Sequence, residues 1–190
     1  MLDGTDFAAI WLTVKLASVT TLLLLLLGTP LAWWLARTRS RLRGPIGAVV
    51  ALPLVLPPTV LGFYLLVLFA PDTPLGQAWH WFTGQGLAFS FAGLVLGSVL
   101  YSLPFVVQPL TVALREIPQS LLEAAASLGA NRWERLLRVV LPLLRRGILV
   151  AGTLGFAHTL GEFGVVLMLG GSIPGETQVV SIALFQHVEA

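Results

Sequence analysis

The sequence predicts an all-α polytopic membrane protein with four spans, and three observations carry that prediction. Hydrophobic residues make up 56% of the 190 and charged residues only 11%, with a mean hydropathy of +0.89, well outside the range of soluble domains. Four apolar runs, 10–36, 46–70, 87–114 and 147–169, each reach the roughly 20 helical residues needed to cross the hydrocarbon. Ten of the eleven basic residues fall in just two of the intervening polar segments. By the positive-inside rule those two segments are cytoplasmic and the N-terminus is outside.

The same composition excludes several classes. Net charge is only +2, so the high pI reflects scarce ionisable groups, and the arginines are clustered rather than interleaved with aromatics along one face; no nucleic acid is expected as a partner. With no cysteine there is no disulfide, thiolate nucleophile or cysteine metal site. His80, His158 and His187 are far apart, and no metal site is expected from them.

The first run follows an acidic start (Asp3, Asp6) and ends in Arg37, Arg39, Arg41 and Arg43, the reverse of a cleaved signal peptide, so it reads as a span. Lys15 can snorkel to the outer interface. Thr29-Pro30 predicts a kink, since the run continues through Trp33-Trp34. Gly44-Pro45 turns the chain into the second run, which contains Pro53, Pro57 and Pro58. Each proline leaves a carbonyl unpaired, which in a membrane must be buried in protein or line a wet path. Two readings stay open here: a broken helix beside a translocation path, or a merely kinked span. Residues 71–86 read as an outer loop with an interfacial Trp79-His80-Trp81-Phe82 cluster. In the third run, Gly93 and Gly97 have small-xxx-small spacing and Leu103-Pro104 predicts a helix break.

The segment 115–146 is the polar island, with six arginines and Glu116, Glu123 and Glu134. Pro118 suits a first helical turn, and Gly129 a left-handed stop. Asn131 can cap a second helix, which Pro142 ends or kinks. The island is therefore an amphipathic helix–Gly–helix element too polar for lipid.

In the fourth run, His158 and Glu162 are four apart on one predicted helix face, and Glu162 is the lone acid deep in an apolar stretch. An enzyme would use such a pair as general acid and base. No nucleophile-and-base arrangement or metal ligand set accompanies it, so Glu162 reads as structural or gating. An anion would be repelled from it. Residues 170–177 form an outer Gly/Pro turn, and 178–190 are too short and polar to span.

Glu123-Ala124-Ala125, Gly129 and Val139-Val140-Leu141-Pro142 match the pattern E-A-A-x3-G-x9-I-x-L-P, with Val139 in the Ile position. On these residues the chain resembles the permease subunits of ABC importers, whose EAA loop is cytoplasmic and docks into a cleft of the ATPase. Leu52 to Gly62, Leu160 to Gly164 and Ile173 to Thr177 resemble the molybdate transport permease family within that group. The resemblance covers nearly the whole chain and implies an ABC permease-type helical bundle in the bacterial inner membrane. It implies ATPase coupling through Glu123, Ala124, Ala125, Gly129, Leu141 and Pro142, and a translocation path or gate at Pro57, Pro58, Thr59, Glu162, Phe163 and Gly164.

It further implies a homodimer of permease subunits, each forming half of a pore, with two ATPase subunits, an extracytoplasmic oxyanion-binding protein and membrane lipid as partners. No cofactor is expected in the chain itself: its one lysine, Lys15, lies between Val14 and Leu16 and cannot belong to a Walker A loop, so ATP and Mg belong to the partner. Permeases of this group carry a further span beyond the position of Ala190. The expectation is thus either a fragment or a four-span protein. Sulfate, thiosulfate or tungstate permeases, an intramembrane enzyme and a membrane scaffold are the alternatives.

Overall fold

The computed structural model describes residues 4–189, and among these it contains ten α-helices and no strand. Asp3, part of the acidic start that sets the expected N-terminal orientation, lies outside the described residues. Helix α1 (Gly4–Arg37) runs without interruption through Pro30. The Thr29 hydroxyl donates to the Leu25 carbonyl (2.5 Å) in the turn that the proline loosens. Lys15 places its ammonium 4.5 Å from the centre of the Phe91 ring, a cation–π contact.

The run 46–70 is not one helix. It forms α2 (Arg43–Ala51), a 3-10 turn at Leu52–Leu54 and α3 (Pro58–Leu68), and the two arms bend by 109°. Proline chemistry explains the break. A proline disfavours the α conformation in the residue before it, and here Pro57, ahead of Pro58, is extended (ψ 135°), so α3 starts afresh with Pro58 in its first turn. The stretch is thus a broken helix and not a merely kinked one.

Residues 71–86 contain a helix where a loop was expected, α4 (Pro74–Thr83). Thr73 caps it by accepting from the Gly76 amide, and Gly84 closes it with φ +70°. Trp79 packs on the core, while Trp81 and Phe82 are exposed.

Helix α5 (Phe91–Glu116) is continuous through Pro104 and Pro109, so the break expected at Leu103-Pro104 is absent. This helix is the bundle's centre and supplies buried residues to both halves of the core, among them Leu94 and Val95 at one end and Val106, Leu110 and Leu114 at the other. Bending it would disturb both halves, which outweighs the single hydrogen bond each proline removes.

The polar island forms α6 (Gln119–Ser127) and α7 (Arg132–Arg135). A π turn at Leu136–Val140 then joins α7 to α8 (Leu141–Leu160), giving one helical rod from Arg132 to Leu160. Pro142 therefore neither ends nor breaks the helix. The π turn widens the spiral just ahead of the proline, with the Leu141 amide bonding five residues back to Leu136, and this makes room for the ring. The run 147–169 is divided instead at 161–163, where the chain leaves α8 before entering α9 (Gly164–Gly170). Helix α10 (Val180–Glu189) follows.

Helices α1, α5 and the Arg132–Leu160 rod are each long and apolar enough to cross a membrane, and the bent α2–α3 pair supplies a fourth crossing if it acts as one span. Gly97 of α5 meets α9: a Cβ there would lie 2.1 Å from Leu169 Cδ1. Helices α3 and α9 are also in close contact, and here through backbone as well as side chain, since a Cβ on Gly164 would lie 2.9 Å from Pro58 Cβ and 3.2 Å from the Thr59 amide nitrogen. Overpacking of this kind costs about 1–3 kcal/mol. Gly164→Val is expected to lower the thermal unfolding midpoint of the detergent-solubilised protein, whereas Gly47→Ala, with open space at its Cβ, leaves it unchanged or raised. Equal midpoints for Gly164→Val and wild type would contradict this packing.

Candidate functional site

Two sites emerge, one at the break after α8 and one on the polar hairpin. At the break Glu162 is 3% exposed. The Ser98 hydroxyl donates to its Oε2 (2.5 Å) and the Ser102 hydroxyl to its Oε1 (2.7 Å). Ser181 of α10 donates to the Glu162 backbone carbonyl (2.5 Å). One residue thus ties the break to α5 through its side chain and to α10 through its backbone.

His158 completes the cluster, its Nδ1 2.8 Å from Ser102 Oγ and 3.7 Å from Glu162 Oε1. Ser102 has a single hydroxyl proton; when it is donated to an ionised Glu162 carboxylate, the bond to His158 requires the tautomer with its proton on Nδ1. The imidazole is held in plane by stacking on Phe105, centroids 3.8 Å apart at 24°. The proximity of His158 and Glu162 read from the sequence therefore holds, but the shared helix face does not: α8 ends at Leu160 and Glu162 lies beyond it.

Pro58, Thr59, Tyr101, His158, Glu162, Phe163 and Gly164 line an open cavity of about 460 Å³. The fold thus assembles five of the six residues named from the sequence for a path or gate, drawn from α3 and the α8–α9 break. Pro57 is the residue before α3 and sets its start. Ser98 and Ser102 were missed in the sequence. Their signal was present, two hydroxyls four apart in an apolar helix, facing a carboxylate that needed donors.

The hairpin is built by local rules. Helix α6 ends in a Schellman arrangement: the Ala130 amide bonds the Ala125 carbonyl, the Gly129 amide bonds Ala126, and Gly129 takes φ +87°. Asn131 and Glu134 then form a reciprocal capping box at the start of α7. Glu123, Ala124 and Gly129 are exposed and Ala125 is partly so. Leu141 and Pro142 lie apart from them, exposed at the start of α8. At the tip Leu128 is 89% and Trp133 73% exposed, large apolar side chains on an otherwise polar element. Arg37 staples the hairpin to α1, donating to the carbonyls of Leu114 (3.1 Å) and Ile117 (3.0 Å) and to Gln119 Oε1 (3.1 Å). That role is invisible to a charge count.

Residues 28–189 match the family described as binding-protein-dependent transport system inner membrane component. The chain is 63% identical over 190 residues to the molybdenum transport system permease protein ModB of Azotobacter vinelandii, covering 100% of this chain and 84% of that protein. It is 35% identical over 189 residues to the protein of the same name from Escherichia coli K12, covering 100% and 82%. The probable sulfate transport system permease protein cysT of Chlorella vulgaris is 34% identical over 187 residues, covering 98% and 70%. These are transport permeases and not enzymes, which removes the acid–base enzyme reading of His158 and Glu162. The chain belongs to the family of inner membrane components of binding-protein-dependent transport systems.

Proposed function

We propose that this chain is the permease subunit of an ATP-driven molybdate importer, forming half of a translocation path as a homodimer and coupling to two ATPase subunits through its hairpin. The observation that carries the coupling is the exposed hairpin tip. Leu128 and Trp133 extend from a rigid turn bearing Glu123, Ala124, Ala125 and Gly129, and an apolar tip on a polar element is the mark of a protein partner. Molybdate as cargo is supported by the 63% identity to a molybdenum permease, against 34% to a sulfate permease. In this reading the hairpin is cytoplasmic, ATP and Mg stay on the partner, and an extracytoplasmic protein delivers the oxyanion. The continuous Arg132–Leu160 rod carries displacement of the hairpin to the break at Glu162, where α3 and α9 meet.

Gly129→Arg tests the coupling. A Cβ at Gly129 meets nothing within 4 Å, so the added bulk projects away from the chain, and the left-handed φ adds only about 1–2 kcal/mol of local strain. ATP-driven molybdate uptake in reconstituted vesicles is expected to fall more than about tenfold, with membrane insertion unchanged. Uptake at the wild-type rate would refute docking at this turn.

Glu162→Ala removes the acceptor for two buried hydroxyls, at about 1–3 kcal/mol for each group left unpaired. It is expected to lower both the unfolding midpoint and uptake. Glu162→Gln keeps an acceptor and the side-chain volume and is expected to retain most of the stability. If the alanine variant unfolds and transports like wild type, Glu162 neither braces the break nor gates the path.

A further inference from the structure

We propose that a cleft between the end of α1 and the hairpin binds an anionic phospholipid, with the phosphate among Arg37, Arg39, Arg132 and Arg135 and the acyl chains along the cleft's apolar floor. The cleft has a volume of about 1130 Å³ and is separate from the cavity at Glu162. Its lining contains four arginines against a single acid, Glu123. Among the described residues, none of these guanidinium groups pairs with a carboxylate. The Nε atoms of Arg37 and Arg135 are buried and have no hydrogen-bond partner. Arg37 keeps its positive charge without a carboxylate partner although its terminal nitrogens bond Leu114, Ile117 and Gln119, and four arginines lining one cleft with so little negative charge recruit an anionic oxygen acceptor, for which phosphate has the matching geometry.

Both walls change from basic to apolar in the same direction. Along α1 the lining passes from Arg39 and Arg37 at the mouth, past Trp33, to Pro30 and Thr29 inside the helix. Along the opposite wall it passes from Arg132 and Arg135 to Leu136, Val140 and Leu144. With a 1.5 Å rise per residue, each gradient extends about 12–18 Å into the bundle. Trp33 stands beside Arg37, whose guanidinium lies 5.5 Å from its ring centre, as an aromatic residue does at headgroup level. A free phosphate would use only the mouth. An amphiphile uses the whole cleft, and a basic pocket between helices at the membrane surface is the recognised form of such a lipid site.

The test is native mass spectrometry of the full chain, purified in detergent and offered phosphatidylglycerol, phosphatidylcholine of the same acyl chains, or inorganic phosphate. The variant Arg39→Gln/Arg132→Gln/Arg135→Gln leaves the Arg37 staple intact. The control, Arg41→Gln/Arg43→Gln/Arg138→Gln, removes the same charge outside the cleft. Phosphatidylglycerol retention is expected to exceed that of phosphatidylcholine in wild type and the control. It is expected to fall by at least about tenfold in the cleft variant, within what three basic contacts contribute at an anionic surface. Equal retention of the two lipids, equal loss in the control, or full displacement by phosphate would each overturn the proposal. So would a cleft variant that keeps its lipid and instead loses a co-purifying ATPase subunit. The wild-type comparison of the three probes decides the matter even if the triple variant does not fold.

Discussion

The arrangement of the bundle depends on the two serine hydroxyls that hold the Glu162 carboxylate. A carboxylate in a membrane-depth bundle is costly unless its lone pairs are met, and α5 meets both oxygens from one face. That bond permits the rest. Because Glu162 is anchored to α5 and its carbonyl to Ser181, the backbone can leave α8 at Leu160 without exposing unpaired groups to lipid. Helix α9 then starts at Gly164, the one residue small enough for Pro58 and Thr59 to approach, and α3 is fixed against it. The two interrupted elements, α2–α3 and α8–α9, therefore brace each other.

The two ends of the molecule consequently differ in construction. Around the hairpin, α1, α5 and the Arg132–Leu160 rod pack as long uninterrupted helices around Leu24, Val106, Leu110 and Leu144. Toward the other end the core is assembled from short pieces, with Leu65, Val165, Leu169 and Ile182 drawn from α3, α9 and α10. Long rods move as bodies, whereas broken helices can shift at their joints. For the proposed coupling this matters most at the π turn. Had Pro142 broken the helix, motion of the hairpin would have been lost at the joint; the π turn keeps α7 and α8 in one continuous helix.

Much of this was legible in the sequence because lipid and local capping rules act residue by residue. The hydropathy runs and arginine clusters located the long helices, and Gly129, Asn131 and Glu134 specified the hairpin through a left-handed stop and a capping box. The prolines were harder to read. Pro57-Pro58 broke a helix, but Pro104, Pro109 and Pro142 did not, since the first pair acts through its own neighbour's backbone while the others were decided by packing and by a π turn. Helix α4 was missed although Thr73-Pro74 and Gly84 mark both its ends; the density of turn residues obscured them. Ser98 and Ser102 could not be paired with Glu162 by spacing, because that contact joins residues 60 to 64 positions apart.

The geometry also bears on selectivity. The cavity at the break carries an acid and an imidazole rather than a ring of cations, and both Glu162 oxygens already accept hydrogen bonds from serines. An oxyanion entering it would find no unused donor on Glu162 and a repulsive charge if that group is ionised. Discrimination among tetrahedral oxyanions needs several donors converging on the ligand oxygens, and this wall is built instead to hold a backbone break in place. In the proposed importer, cargo choice accordingly resides mainly in the delivering protein. Within that proposal, Glu162 contributes by holding the α8–α9 break against α5 and α10, which is a positional role and not a binding one.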